Sequence, residues 1–267
     1  MKNQVCWLMD YEWLDKQSLL KIPKIISELG HISVEKYCYP SENDCVVLYG
    51  PISHYRKVIK TGLKYLPGAL GIGENIKYSI YTANIPREIM FNQDFVITTW
   101  VDFCRRKSFW YQIFSTDKIF IRPDSGYKTF TGQVIDKEDF DYEINSMNQI
   151  TGIMPEHLII IASFQEIILE TRFVIADNKV VSYTTYFWNS DEITSIIVPD
   201  ECKKLALIVA EQEWQADIAY TCDIVIGKNG PKVLELNSFS CAGLYSCDLI
   251  ETFRQVSEIS LKEFNGE

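Results

Sequence analysis

Residues 222–237 read CDIVIGKNGPKVLELN, and the pairing of the two halves of this stretch decides the fold. The runs 222–226 and 232–237 alternate with period two, and Gly227-Lys228-Asn229-Gly230 between them has the composition of a hairpin turn. A three-residue loop of Lys228, Asn229 and Gly230, with Gly230 in the left-handed conformation, predicts that Asp223 faces Glu235. Their Cβ atoms would then lie roughly 4.5–5.5 Å apart, with Asn237 on the same face. The opposite face would carry Ile224, Ile226, Leu234 and Leu236 into a core. Like charges opposed in this way destabilise a sheet unless a cation sits between them. Acid, acid and amide are hard oxygen ligands, the set that suits Mg²⁺ shared with phosphate. The alternative is a pair of solvated acids on an ordinary hairpin. The small, polar run 237–245 that follows favours the ligand site, because it suits a loop that lets a ligand approach the backbone.

The rest of the chain narrows the function classes. Its 267 residues, 47% hydrophobic and 13% aromatic, make a folded globule of one large or two smaller domains. A net charge of −10 argues against a nucleic-acid backbone as the main partner. No apolar run approaches the roughly 18 residues of a membrane span. The N-terminal segment is too short and too soon acidic for a signal peptide. Eight scattered cysteines, without a Cys-x-x-Cys pair or a nearby histidine, predict reduced thiols in a cytoplasmic protein rather than a zinc site. Cys241 and Cys247 lie near the proposed site, but no histidine stands close in sequence to activate either. His31, His54 and His157 read as structural or exposed.

Residues 1–85 read as a small α/β unit. Val5–Met9 is a first strand, 16–29 a helix ending at Gly30, 32–37 a second strand, Cys45–Tyr49 an apolar strand of the doubly buried parallel type, and 53–63 a helix. In 84–114 the aromatic residues Trp100, Phe103, Phe109, Trp110, Tyr111 and Phe114 predict a core. A second system follows, with strands at 118–122, Gln133–Asp136 and 158–162, a helix at 140–147, a hairpin of 170–176 and 179–186 turned at Asp177-Asn178, and a helix at 201–215.

Cations cluster in the loop 121–132, IRPDSGYKTFTG. Arg122 at a strand end offers bidentate bonds to phosphate, Lys128 offers a compact charge, and the glycines let backbone N–H groups approach an anion. The loop is not a Walker motif, and a solvated β-turn is the alternative. Glu170 and Arg172, two apart on a strand, share a face on which a carboxylate accepts from ribose hydroxyls and an arginine reaches phosphate, or else form a surface ion pair. The segment 164–169, with Gln165, Glu166 and Ile167, reads as a hinge whose backbone meets an adenine edge.

Arg122-Pro123 with the loop to Gly132, Gln165-Glu166-Ile167 with Glu170-Thr171-Arg172, and Asp223 with Glu235-Leu236-Asn237 together resemble the ATP-grasp superfamily over about residues 115–250. Within it they resemble the clade marked by two arginines and one lysine, often encoded by phages and their hosts. The resemblance implies an ATP-grasp fold of two α+β lobes (86–160 and 161–267) after the small α/β domain 1–85. It implies ATP bound by Arg122, Lys128, Gln165, Glu166, Ile167, Glu170 and Arg172, and one or two Mg²⁺ (or Mn²⁺) ions on Asp223, Glu235 and Asn237. Arg122, Lys128 and Arg172 would then stabilise phosphoryl transfer to a substrate carboxylate, giving an acylphosphate that an amine or another nucleophile captures, with a peptide or protein among the candidate acceptors. No protein nucleophile is needed. Two other classes stay open: an ATP-binding module of the same fold without ligase turnover, and a structural protein that assembles through its acidic surface. Acceptor choice would lie in 50–75, 187–195 and 238–248. Tyr183, Tyr186 and Trp188 are candidates for the acceptor side or for the core.

Overall fold

The computed structural model describes residues 2–150, 152–188 and 191–267. The first part of the chain runs β1 (Val5–Met9), α1 (Lys16–Glu28), β2 (Ile32–Glu35), β3 (Cys45–Tyr49), α2 (Ile52–Thr61), β4 (Leu66–Gly68) and α3 (Tyr78–Asn84). Its four strands form a parallel sheet in the order β2-β1-β3-β4. Every residue of β3 is buried, as expected of a strand covered on both faces. Asp15 caps α1 by accepting from Gln17 N (2.8 Å) and Ser18 N (3.0 Å).

The second part contains β5 (Phe95–Thr99), α4 (Trp100–Arg105), α5 (Lys107–Ile113), β6 (Lys118–Pro123), β7 (Gln133–Asp136), α6 (Phe140–Ile150) and β8 (Leu158–Ser163). Its antiparallel sheet has the order β5-β8-β6-β7. Alternation along β6 sends Ile119 and Ile121 into a core with Trp100, Phe103, Trp110 and Phe140, and leaves Phe120 and Arg122 on the other face. Phe109 departs from the sequence expectation. It is 46% exposed on α5, where its ring packs edge-on against Trp110 at the rim of that core.

The third part contains β9 (Leu169–Ala176), β10 (Lys179–Trp188), β11 (Asp191–Ser195), α7 (Asp200–Ala210), β12 (Ala219–Gly227), β13 (Gly230–Ser238) and α8 (Leu249–Asn265). Its antiparallel sheet has the order β11-β10-β9-β12-β13. The β9–β10 hairpin turns at Asp177 (φ +51°) and Asn178 (φ +58°), the left-handed pair that a tight hairpin demands. One face of this sheet, with Phe173, Ile175, Cys222, Ile224 and Leu236, packs beneath α7 and α3. On the other face Val174, Ala176 and Ala219 share a core with Trp7, Met9 and Tyr49 of the first sheet and with Phe253 of α8. The Phe253 ring meets Trp7 edge to face at 4.8 Å, and Trp7 Nε1 donates to Ser257 Oγ (3.2 Å).

Phe253 therefore joins two sheets at a fully buried point. Phe253→Ala is expected to cost about 3–5 kcal/mol of unfolding free energy in urea titrations with the slope unchanged.

Candidate functional site

The β12–β13 ladder pairs Asp223 with Glu235 and Thr221 with Asn237, as the alternation predicts, but by another route. Gly227 pairs with Gly230, whose φ is +78°, and only Lys228 and Asn229 form the tip. The residue expected in the loop is instead a bulge at Leu234, where the register shifts between Ile224 and Asp223. The bulge corrects one expectation. Val233, fully buried, takes the core position beside Ile224 and Leu236, and Leu234 turns to line a cleft.

The pairing of β9 with β12 sets Arg172 opposite Asp223. Arg172 Nε and Nη2 donate to Asp223 Oδ1 (2.8 Å) and Oδ2 (2.7 Å), and Nη1 donates to the Gly243 carbonyl (2.9 Å). Arg122, at the end of β6, bonds Glu235 Oε2 through Nη2 (2.8 Å), and Lys128 Nζ reaches Glu235 Oε1 (3.2 Å). Asn237 Nδ2 donates to both carboxylates, Asp223 Oδ2 at 2.9 Å and Glu235 Oε1 at 2.8 Å. Since an ionised carboxylate only accepts, these two bonds fix the amide orientation and turn Asn237 Oδ1 the other way. Asn237 Oδ1 and Arg122 Nε are buried without a hydrogen-bond partner among the described residues. An acceptor that lacks a donor suits a cation, and a donor that lacks an acceptor suits an anion. The donor types, two carboxylates and an amide oxygen, suit Mg²⁺ or Mn²⁺, with the carboxylate oxygens engaged here by Arg172, Arg122, Lys128 and Asn237 and the amide oxygen left without a partner among the described residues.

A cleft of about 250 Å³ opens beside this network, lined by Arg122, Lys128, Glu170, Tyr186, Leu234 and Glu235. Phe120, Ile167 and Leu234 continue from it into an apolar slot of about 110 Å³, closed by Val134, Phe164 and Phe91. The loop 124–132 roofs the charged end. A Cβ on Gly132 would come within 2.7 Å of the Phe120 ring, so only glycine fits that close approach.

Among the residues singled out from sequence, the structure brings Arg122, Lys128, Ile167, Glu170 and Glu235 to the cleft. Asn237 and Asp223 stand behind Glu235. Arg172 does not line the cleft, because all three of its guanidinium nitrogens are engaged. Gln165 borders the slot and donates to Phe91 O (2.9 Å), whereas the Glu166 side chain points to solvent. Tyr186 reaches the cleft, Tyr183 packs against the core beside α7, and Trp188 is half exposed. Of the expected acceptor loop 187–195, residues 189 and 190 lie outside the described residues.

Sequence reasoning missed Leu234, Phe120 and the Tyr186–Tyr245 stack, whose ring centroids lie 4.9 Å apart with planes at 5°. Arg172 sits 5.3 Å from each of those rings. Alternation about Ile119 and Ile121 was a usable signal for Phe120. None existed for the stack, which depends on two distant segments.

The surroundings shift the two carboxyls in opposite directions. Burial pushes the Glu235 carboxyl up, but Lys128, Arg122 and the Asn237 amide outweigh it and hold it well below the usual range. Glu170 is raised, first by burial and then by the charges of Asp223 and Glu235, against the lowering bond from Tyr186 Oη (2.6 Å).

The chain belongs to the family described as ATP-grasp domain, R2K clade family 3, whose model matches residues 81–256. No curated protein matches it. Its fold is similar to that of the D-cycloserine synthetase DcsG, at TM-score 0.63 and 10% identity over 97% of this chain and 100% of that one. It is similar to a D-alanine–D-alanine ligase from Bacillus anthracis, at TM-score 0.58 and 13% identity over 98% and 97%. The ATP-grasp ligase PsnB complexed with minimal precursor, Mg and ADP gives TM-score 0.55 and 11% identity over 99% of each chain. The fold is thus the ATP-grasp fold. Among the described residues no helix is long and apolar enough to cross a membrane, and all eight cysteines are free.

The opposed shifts predict opposed pH responses. A depressed carboxyl stabilises the fold above the ordinary glutamate pKa, about 4.3, and that contribution is lost as pH falls through its folded value; a raised one has the reverse sign. Glu235→Gln is therefore expected to melt below wild type at neutral pH, with the gap closing in acid. Glu170→Gln should melt above wild type at neutral pH, and its gap should close as wild-type Glu170 takes up its proton. Melting curves of the three proteins across pH check both signs.

Proposed function

We propose that this protein is an ATP- and Mg²⁺-dependent ligase that joins a carboxylate to an amine or other nucleophile through an acylphosphate. The observation that carries the reading is one cleft in which an apolar slot adjoins a charged end lined by Glu170, Arg122, Lys128 and Glu235, with Asn237 behind Glu235. Mg-ATP likewise carries a flat base at one end and ribose, phosphates and a divalent cation toward the other. The Mg and ADP in PsnB, a protein of the same fold, support the assignment.

Phe120, Ile167 and Leu234 would hold the adenine, with Gln165 and the backbone at Glu166 at its edge. Glu170 would accept from the ribose. Arg122, through its free Nε, and Lys128 would neutralise phosphate charge, with the field of Arg172 behind them. Asp223, Glu235 and Asn237 would hold Mg²⁺, or Mn²⁺ on the same donors, and the ion would offset charge on the phosphate oxygens during transfer. A substrate carboxylate oxygen forms the new bond to the γ-phosphorus while the bond to the β–γ bridging oxygen breaks, its electron pair leaving with ADP. The acceptor nitrogen then adds to the acyl carbon, phosphate leaves, and the nitrogen loses its proton to water. The chain supplies positions and charge rather than a nucleophile. Residues 1–85 would serve as the preceding α/β domain, with lobes at 86–160 and 161–267. Eight free thiols support a cytoplasmic setting.

One observation favours a second reading, an ATP-binding module without turnover. Both oxygens of Asp223 are taken by Arg172, and Asp223 is fully buried.

Turnover separates the two. With Mg-ATP, a panel of carboxylates and hydroxylamine as the capturing nucleophile, the ligase reading predicts ADP release and hydroxamate formation for at least one carboxylate. Arg122→Ala and Glu235→Gln should each lower that rate by about 100-fold or more. ATP binding without ADP release for every carboxylate would support the module, and a fully active Glu235→Gln would refute the metal assignment.

A further inference from the structure

The loop that carries Lys128 is tied to the first part of the chain at three points. At its base, Asp124 accepts from Ser79 N (2.7 Å) and Ser79 Oγ (3.0 Å) at the start of α3, and the Asp124 carbonyl accepts from Tyr78 N (2.9 Å). In the middle, Gly126 lies so close to Ile76 that a Cβ there would come within 2.9 Å of Ile76 Cγ2. At the tip, the Tyr127 ring stacks on Tyr55 of α2 with centroids 6.1 Å apart and planes at 28°, and the Arg56 guanidinium sits 5.5 Å from the Tyr127 ring. Arg56 makes no ion pair among the described residues, and residues 45–73 around it contain four cations and no acid. The Tyr127 face is the electrostatic partner it contacts.

The next residue is Lys128, held at φ +43° with its Nζ on Glu235. A non-glycine residue in that region persists only when its surroundings fix it. The loop itself supplies little: Tyr127 N donates to Ser125 Oγ (3.2 Å) and Lys128 N to Ser125 O (3.1 Å).

We propose that Tyr127, held by Tyr55 and Arg56 of α2, is a positioning residue that fixes Lys128 over the phosphate end of the cleft, so that α2 anchors the phosphate loop. The proposal rests on the Mg-ATP reading of the cleft for its consequence, though not for the clamp itself. Tyr127 acts through Lys128 and contacts no reacting group. Loss of one stack and one cation–π contact removes the bias toward the clamped loop, and loop and lysine then sample many positions.

Two measurements on the full chain test it. The first is calorimetric titration with a non-hydrolysable ATP analogue and Mg²⁺, and the second is timed trypsin digestion without nucleotide, following cleavage after Lys128. Tyr127→Ala is expected to weaken analogue binding about tenfold and to speed that cleavage, while Tyr127→Phe stays within about twofold of wild type in both. In a Lys128→Ala background, Tyr127→Ala should cost no further affinity, because the two act as one unit. Arg56→Ala, on an exposed helix face, should give a smaller effect of the same direction and replaces Tyr127→Ala if that variant does not fold. Wild-type affinity and cleavage rate in Tyr127→Ala would overturn the proposal, as would an equal cost with and without Lys128, or a Tyr127→Phe as damaged as the alanine. If wild type binds no analogue, the nucleotide reading fails and the digestion alone decides the clamp.

Discussion

Two carboxylates brought face to face on neighbouring strands, Asp223 and Glu235, set the constraint around which the molecule is built. Buried like charges at that spacing are tolerated only when cations compensate them. Here the compensation comes from three separate places: Arg172 on the adjacent strand of the same sheet, Arg122 at the end of β6 in a different sheet, and Lys128 on the loop that follows β6. Glu235 is therefore the point at which β13 is ion-paired to β6 and the loop after it. Removing Glu235 would leave buried Arg122 without its ion pair, and removing Arg122 and Lys128 would leave Glu235 without one.

The apolar packing explains why that contact is held in register. The five-stranded sheet spends one half of its face on Val174, Ala176 and Ala219, which seal against the first sheet and α8, and the other half on Arg172, Asp223 and Asn237. A hydrophobic seal and a polar site thus share one surface, and the strand period of two assigns each residue to it. The second sheet does the same, burying Ile119 and Ile121 while presenting Phe120 and Arg122. The cleft is the space between two such faces, which is why it is apolar at one end and charged at the other.

Local features were legible in the sequence because they depend on near neighbours. The doubly buried strand β3, the left-handed turn at Asp177-Asn178 and the pairing of Asp223 with Glu235 all follow from alternation and turn chemistry. So does the placement of Arg122 at a strand end with Lys128 in the loop that follows it. The bulge at Leu234 was not legible, since a bulge and a longer loop give the same register beyond it. The partnership of Arg172 with Asp223 depends on β9 lying beside β12, a contact across 51 positions of chain. Helix α8 escaped notice because Thr252, Ser257 and Ser260 hold places on its buried face, which blurs the apolar period.

The central claim is that the Asp223–Glu235–Asn237 set holds a divalent cation together with a nucleotide. Electron paramagnetic resonance of Mn²⁺ titrated into the protein tests it most directly, with and without a non-hydrolysable ATP analogue. The account predicts that Mn²⁺ becomes protein-bound when the analogue is present, and that Glu235→Gln, still folded by circular dichroism, removes this binding. Mn²⁺ left free at saturating analogue, or held equally well by Glu235→Gln, would contradict it.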